Sequence, residues 1–226
     1  GGGGGSYGDH AYVDLGLPSG TLWATCNVGA TTPEGYGDYF AWGETQTKDY
    51  YDWSTYKWCD GGYDRLTKYC TDSHYGYNGF TDNLTVLEPS DDAATANWGG
   101  RWRTPTKDEW QELIDNCKWQ TGRLNDVKGF YFTAPNGNSI FLPLAGMRQL
   151  DKSWWEAVKE DDDLNMGTGE SGFYRSASLQ ALDPPHVPTP YYSWTLRVSD
   201  DKDGKDVYWT NGSRETGQSF RPVSDK

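Results

Sequence analysis

The sequence predicts an α+β domain with about two short helices, several antiparallel strands and long ordered loops. Three observations lead to this class. Strand-like segments lie near both ends of the chain, both helix signals lie near its middle, and a long aromatic segment has no regular period. A chain of 226 residues without an internal repeat is best accounted for as one compact domain. We place it at residues 9–226, because GGGGGS makes residues 1–8 typical of a linker or tag remnant.

The first third of the chain is predicted to be strand followed by loop. Short strands are expected at Tyr12–Leu15 and Thr21–Asn27, joined by a turn around Pro18 to Gly20. From Thr31 to Asn83 the chain is dense in Tyr, Trp, Gly and Asp, with neither a two-residue nor a 3.6-residue period. Disordered segments are poor in aromatic residues, so we predict an ordered loop region held by aromatic packing.

Two helices are predicted from their capping signals. Ser90 or Asp91 is expected to cap a short helix that ends at the Gly99–Gly100 pair. Thr106 and Glu109 then form a capping-box pattern at the start of a helix of about three turns. Its buried face is expected to carry the apolar residues that follow at helical spacing, which are Trp110, Leu113, Ile114 and Cys117.

The C-terminal half is predicted to be mostly strand. Turn signals at Pro135–Gly137 and Asp203–Gly204 each indicate a hairpin. The expected strands are Gly129–Thr133, Ser139–Leu142, Phe173–Leu179, Tyr192–Val198, Val207–Thr210 and Ser219–Val223. Alternation along Tyr192–Val198 predicts one apolar face toward the core. The opposite face, expected to be exposed, carries Ser193, Thr195 and Arg197.

Charge and cysteine content narrow the classes of function. The net charge of −13 disfavours nucleic acid and anionic membrane surfaces as partners. No apolar stretch reaches the roughly 18 residues that direct membrane insertion requires. The four cysteines lack the C-x-x-C spacing of zinc and redox sites. Their even number permits disulfides, with Cys59 and Cys70 as a candidate pair, and the alternative is that Cys26, Cys59, Cys70 and Cys117 pack as small hydrophobic thiols.

Five segments resemble one protein family over nearly the whole chain after the linker. They are YVDLGLPSGTLWATCNVGA (Tyr12–Ala30), GDYFAWGET (Gly37–Thr45), LEPSDDAATANWGGRWRTPTKDEWQEL (Leu87–Leu113), PNGNSIFLPLAG (Pro135–Gly146) and GQSFRPV (Gly217–Val223). Together they resemble the Fibrobacter succinogenes major paralogous domain proteins of gut Bacteroidetes. Those domains are similar to the formylglycine-generating enzyme family, so the resemblance implies a C-type-lectin-like fold. Trp23, Trp42, Trp98, Trp102 and Trp110 are expected to belong to that scaffold.

The resemblance also implies a special role for residues 172–223. Domains of this type are among the target proteins of diversity-generating retroelements, in which chosen codons of the C-terminal segment vary on a fixed lectin-like scaffold. The segment here departs from the family pattern at Arg175, where Trp is usual, and at Phe220, where Val is usual. Arg175 is either a diversified position or the result of drift.

The residues argue against catalysis. Formylglycine-generating enzymes use reactive cysteines in the C-terminal third, and this chain has none after Cys117. His10, His74 and His186 have no nucleophile motif nearby. Carboxylate pairs leave a glycan-acting enzyme as a lesser alternative.

No metal or other cofactor is expected. Asp201, Asp203 and Gly204 resemble half of a calcium loop whose final Glu is missing. The acidic run Glu160–Asp163 is typical of a solvated surface. Glu88-Pro89-Ser90 is not the E-P-N or Q-P-D triplet of calcium-dependent sugar-binding lectins, and a helix cap is the better interpretation.

A binding surface is predicted within Phe173–Thr216. Aromatic side chains interleaved with Arg, Asn and Ser are typical of interface hot spots and antibody paratopes. The predicted ligand-binding residues are Phe173, Arg175, Tyr191, Arg197, Tyr208, Trp209, Asn211, Ser213 and Glu215.

The expected function is ligand or receptor binding at a bacterial cell surface or on a phage virion, as in an adhesin, pilus tip or receptor-binding protein. The partner would be an unidentified protein or glycan on a cell surface, and the domain would be a module of a longer surface protein. The alternative is a structural subunit of a surface filament or envelope assembly. Such a subunit would show a long exposed strand edge or a donor strand.

Overall fold

The computed structural model describes residues 3–149, 165–180, 189–201 and 204–226. Within these ranges the chain is mixed α+β, as predicted, with two short α-helices and mostly antiparallel strands. The helices are α1 (Ala93–Trp98) and α2 (Lys107–Asn116). The strands are β1 (Gly5–Tyr7), β2 (His10–Asp14), β3 (Leu22–Ala24), β4 (Lys118–Leu124), β5 (Val127–Thr133), β6 (Ser139–Pro143), β7 (Met147–Arg148), β8 (Asn165–Met166), β9 (Ser171–Leu179), β10 (Tyr192–Asp201), β11 (Gly204–Ser213) and β12 (Val223–Ser224).

The described strands form three larger sheets and one two-stranded ribbon. Their orders are β1-β2-β3-β12, β4-β5-β6 and β11-β10-β9, and β7 pairs with β8. Trp23 of β3 lies opposite Val223 of β12, so the first sheet joins the two ends of the chain. No helix in the described ranges is long and apolar enough to cross a membrane.

The segment that the sequence predicts to be a linker or tag remnant, residues 1–8, contains strand β1. β1 pairs with β2 in an antiparallel hairpin. The Tyr7 ring lies 4.8 Å from the Tyr12 ring and 6.0 Å from the Trp102 ring, and the Arg101 guanidinium lies 3.9 Å from the Tyr7 ring centroid. Glycine and serine tolerate the extended edge conformation, and Tyr7 anchors it.

Both predicted hairpins form. In β5–β6, Phe132 lies opposite Ile140. In β10–β11, Asp201 lies opposite Gly204, the glycine of the Asp–Gly signal. β4 was not predicted, because its side chains are mostly exposed and carry no apolar alternation. The strand expected at Ser219–Val223 is reduced to Val223–Ser224, and the residues before it make isolated bridges to different segments.

The helices begin with side-chain caps, one of them at a different residue from the one predicted. Asp92, rather than Ser90 or Asp91, caps α1 by accepting a 2.9 Å hydrogen bond from the Ala94 amide. Ser90 and Asp91 lie instead in a 3₁₀ turn at Pro89–Asp91. The capping box of α2 is confirmed, since Thr106 and Glu109 each accept a hydrogen bond from the backbone amide of the other.

The region from Thr31 to Asn83 is an ordered loop region, as predicted. Apart from a 3₁₀ turn at Tyr77–Gly79, it forms only isolated bridges. The Tyr51 hydroxyl donates to the Tyr39 carbonyl and the Tyr56 hydroxyl donates to the Trp42 carbonyl, each at 2.6 Å. The buried rings therefore hold the loops through their hydroxyl groups as well as through packing. Trp23, Trp42, Trp102 and Trp110 are buried and Trp98 is partly buried, in agreement with a scaffold role.

The four cysteines are free thiols, so the candidate Cys59–Cys70 disulfide does not form. The Cys59 thiol donates to the Trp53 carbonyl at 3.2 Å, and the Cys70 thiol donates to the Asp72 carbonyl at 3.1 Å. Desolvation raises the pKa of both thiols. Cys70 is buried and Cys59 is partly buried, so both thiols pack as small side chains, as the alternative interpretation predicts.

Candidate functional site

The register of the β11-β10-β9 sheet assigns the predicted site residues to two opposite faces. Arg197 lies opposite both Phe173 and Tyr208, so these three side chains form a row across one face, here called the arginine row. Leu196 lies opposite Trp209, and this pair faces the core side. The expected patch is therefore divided, because neighbouring residues on one strand point in opposite directions.

The arginine row presents a cation held between two aromatic rings. The Arg197 guanidinium lies 5.5 Å from the ring centroids of both Phe173 and Tyr208. Its Nε and Nη2 donate to the Ser171 hydroxyl at 3.2 and 3.0 Å, and its Nη1 donates to the Tyr208 hydroxyl. All three members of the row are partly exposed. A fixed planar cation between rings is suited to donate hydrogen bonds to a ligand and to stack on its flat groups.

Trp209 belongs to a second site beside the start of α2. Its indole Nε1 donates to Gln111 at 2.8 Å, and its ring lies 6.0 Å from the Trp194 ring. The Lys107 ammonium lies 3.9 Å from the Trp194 centroid. Asn211, which is exposed, accepts a 2.5 Å hydrogen bond from Gln180. Alternation along β10 predicts that Trp194 faces the core, but Trp194 is partly exposed. The strand register places Trp194 and Trp209 on the same face.

Arg175 and Glu215 are buried, which corrects their assignment to a binding surface. Arg175 is 0% exposed, and its Nη2 donates to the carbonyls of Ser213 and Thr216 at 2.6 and 2.8 Å. Desolvation lowers the pKa of Arg175 to about 9. The Ser213 hydroxyl, which is partly buried, donates to Glu215. These residues hold the end of β11 against β9 and are out of reach of a ligand.

Ser193 and Thr195 are also buried, although alternation predicts that they are exposed. The Ser193 hydroxyl accepts a 2.8 Å hydrogen bond from Arg175 Nη1, and the Thr195 hydroxyl donates to Gln218 at 2.9 Å. The C-terminal segment covers this end of the sheet, so polar residues form an inner layer there instead of a solvent face. Arg197, farther along β10, is partly exposed.

Tyr191 lies at the centre of a third group, which we call the tyrosine cluster: Tyr63, Tyr75, Tyr191 and Tyr192. The Tyr191 ring lies 5.2 Å from Tyr63, 5.2 Å from Tyr75 and 4.4 Å from Tyr192. Tyr63 and Tyr75 come from the loop region, where the sequence offered only aromatic density as a signal. Only Tyr191 is among the predicted site residues, since alternation along β10 predicts that Tyr192 faces the core.

The described residues offer few other candidates for a metal site or a catalytic nucleophile. Within the described ranges, no three His, Cys, Asp or Glu side chains are grouped so as to hold a metal ion. Glu160–Asp163, His186 and Asp203 lie outside the described residues. His10 is stacked on Trp98, with their centroids 3.8 Å apart. Cys117 lines a cleft of about 490 Å³, and desolvation raises the pKa of its thiol to about 11, which makes it a weak nucleophile at neutral pH.

Three partly exposed aromatic groups therefore mark the surface around the C-terminal sheet: the arginine row, the Trp194–Trp209 pair and the tyrosine cluster. Of the predicted site residues, the arginine row brings together Phe173, Arg197 and Tyr208, and the other exposed members lie apart from it. Comparison of the chain with protein-family models, with curated proteins and with solved structures finds no match.

Proposed function

We propose that this domain is a non-catalytic ligand- or receptor-binding module that uses the arginine row on a C-type-lectin-like scaffold. The observation that carries the proposal is the Arg197 guanidinium held between the partly exposed rings of Phe173 and Tyr208. Arg and Tyr are enriched among the residues that dominate binding energy. Because the side chains are already held in place on a three-stranded sheet, they lose little conformational entropy when a ligand binds.

The scaffold part of the proposal rests on the sequence resemblance and is supported by the general architecture. An α+β domain with two short helices, antiparallel strands and long ordered loops is what the resemblance implies. Partly exposed residues of segment 172–223 alternate with buried ones such as Tyr174, Leu196 and Val198. That arrangement supports a retroelement-diversified surface, because exposed positions tolerate substitution while the buried ones hold the sheet.

The context that we propose is an adhesin, a pilus tip or a phage receptor-binding protein, with a protein or glycan on a cell surface as partner. A structural subunit of a filament or envelope assembly is the second candidate, and one observation favours it. β11 has ten residues and, among the described strands, pairs only with β10. A neighbouring strand could extend such an edge.

The test compares binding by the wild-type domain with binding by two variants. Labelled protein is applied to a glycan array and to a panel of intact bacterial cells, and bound protein is titrated. The double variant Arg197→Ala, Tyr208→Ala should weaken binding at least about tenfold, since it removes two central contacts. Lys205→Ala, which changes an exposed residue elsewhere on β11, should leave binding unchanged.

Two results would contradict the binding proposal. One is saturable binding that the double variant leaves intact. The other is a lack of binding to every glycan and cell type, together with concentration-dependent assembly in analytical ultracentrifugation. The second result would favour the filament or envelope subunit.

A further inference from the structure

The tyrosine cluster is a surface feature built from two distant parts of the chain. Tyr63 and Tyr75 come from the loop region, and Tyr191 and Tyr192 stand at the start of β10. The Tyr63 side chain is 49% exposed, and the other three are partly exposed. One exposed and three partly exposed tyrosines thus form a continuous aromatic surface, and exposed apolar patches commonly mark interaction sites.

A buried arginine fixes the two segments relative to each other. The Arg214 guanidinium is fully buried and donates to the carbonyls of Lys68, Tyr69 and Pro190 at 2.9 to 3.0 Å. The Arg214 amide donates to the Tyr191 carbonyl at 3.1 Å. The cluster is therefore held in place before any partner binds, which favours affinity.

The surroundings of the cluster carry an excess of negative charge. Residues 60–82 contain four aspartates against one arginine and one lysine. Arg65 forms an ion pair with Asp60, and Lys68 forms ion pairs with Glu88 and Asp91. Both cations of this segment are thus matched by carboxylates. The third cation nearby, Arg214, is buried and donates to backbone carbonyls, while Asp64 and Asp72 add further negative charge. With the net charge of −13 for the whole chain, the field here attracts positively charged groups.

Tyrosine rings near the cluster already form cation–π contacts within the protein. The Arg65 guanidinium lies 5.0 Å from the Tyr77 centroid, close to the cluster in sequence. The attraction arises from the negative ring face and does not need an ionised phenol. Desolvation, followed by the effect of neighbouring tyrosines, raises the pKa of Tyr191 and Tyr75, so both hydroxyls are neutral at physiological pH.

We infer that the tyrosine cluster binds a basic segment of a partner protein, with arginine or lysine side chains over its rings and Asp64 and Asp72 supplying opposite charge. The inference rests on the proposed binding function, and it names the chemistry of one partner. It uses a surface distinct from the arginine row, because Tyr191, which immediately precedes β10, and Arg197 are separated by about 20 Å of extended chain.

The probe is a fluorescently labelled deca-arginine peptide, titrated with the full chain at physiological ionic strength and followed by anisotropy. Saturable binding is expected, and Tyr63→Leu should weaken it roughly fivefold, because it removes an exposed ring without changing charge. Tyr63→Phe, which keeps the ring, should retain the affinity within about twofold. The matched control is Tyr50→Leu, since Tyr50 is 53% exposed but lies outside the cluster, and it should change nothing.

Three results would overturn the inference. They are no binding of deca-arginine, equal binding of deca-glutamate, and equal losses in Tyr63→Leu and Tyr50→Leu, which would indicate general charge attraction. The double variant Arg197→Ala, Tyr208→Ala should bind the peptide like the wild type. Failure of the peptide while array or cell binding persists would refute this inference and leave the proposed function standing.

Discussion

Three arginines of the C-terminal segment act in the interior of the molecule. Arg175, Arg214 and Arg221 are all fully buried, and each donates to backbone carbonyls of other segments. Arg221, for example, donates to the carbonyls of Ala24 and Phe141 at 3.2 and 2.9 Å. A guanidinium has five N–H donors in a planar fork, so one side chain can join several strands and loops. These three arginines therefore stabilise the fold and do not contact a ligand.

The role of Arg175 can be tested by a change that keeps its charge. Arg175→Lys removes the guanidinium Nη2 that donates to the carbonyls of both Ser213 and Thr216. We expect the free energy of unfolding to fall by about 3 kcal/mol or more, because the buried cation loses hydrogen bonds that its planar fork makes to several acceptors at once. Urea unfolding followed by tryptophan fluorescence measures this. Arg197→Lys, at a partly exposed position, should cost less than about 1 kcal/mol, and equal losses would argue that Arg175 is not buried.

Individual elements show where local signals suffice and where they mislead. The capping box of α2 is a short-range pattern, and it forms as predicted between Thr106 and Glu109. The alternation of β10 is equally local, yet Ser193 and Thr195 are buried because another segment covers them. Tyr208 and Trp209 are adjacent in sequence and face opposite sides of the sheet. An element's own sequence therefore defines its faces but not what covers each face.

The capping box predicts a measurable loss at its first residue. In Thr106→Ala the Glu109 amide loses its acceptor, the Thr106 hydroxyl, which lies 3.3 Å away. We expect a destabilisation of about 1 kcal/mol, the usual value for an N-cap. Thr106→Ser keeps the oxygen and should stay within about 0.5 kcal/mol of the wild type. Chemical denaturation compares the two variants, and indistinguishable midpoints would show that the cap does not stabilise the domain.

At the scale of the whole molecule, the C-terminal segment connects nearly every layer. Gln218 pairs with Phe40, Ser219 accepts from the Arg175 amide, and Val223 pairs with Trp23. Phe220 and Val223 are both fully buried, in two different core clusters. The last ten residues therefore hold the loop region and the sheets together.

Truncation tests this connecting role. Deleting residues 217–226 removes the contacts to Phe40, Arg175 and Trp23 at once. We expect loss of the cooperative thermal transition and of the near-ultraviolet circular dichroism, since the core clusters open. Deleting only residues 225–226 removes exposed ion pairs to Arg103 and Asp14 and should cost at most about 1–2 kcal/mol. A cooperative transition in the longer deletion would contradict the proposed connecting role.

The sequence by itself predicts the α+β class, both hairpins, the capping box and the ordered aromatic loops. Each of these features depends on periodicity, turn chemistry or composition within a short window. The sequence does not predict the burial of Arg175, the division of the expected patch or the meeting of Tyr63 with Tyr191. These depend on which remote segments come together over each face: Arg175 meets Thr216, 41 residues along the chain, and Tyr63 meets Tyr191 across more than 100 residues. Local chemistry specified the elements, while long-range contact decided which of their side chains a ligand can reach.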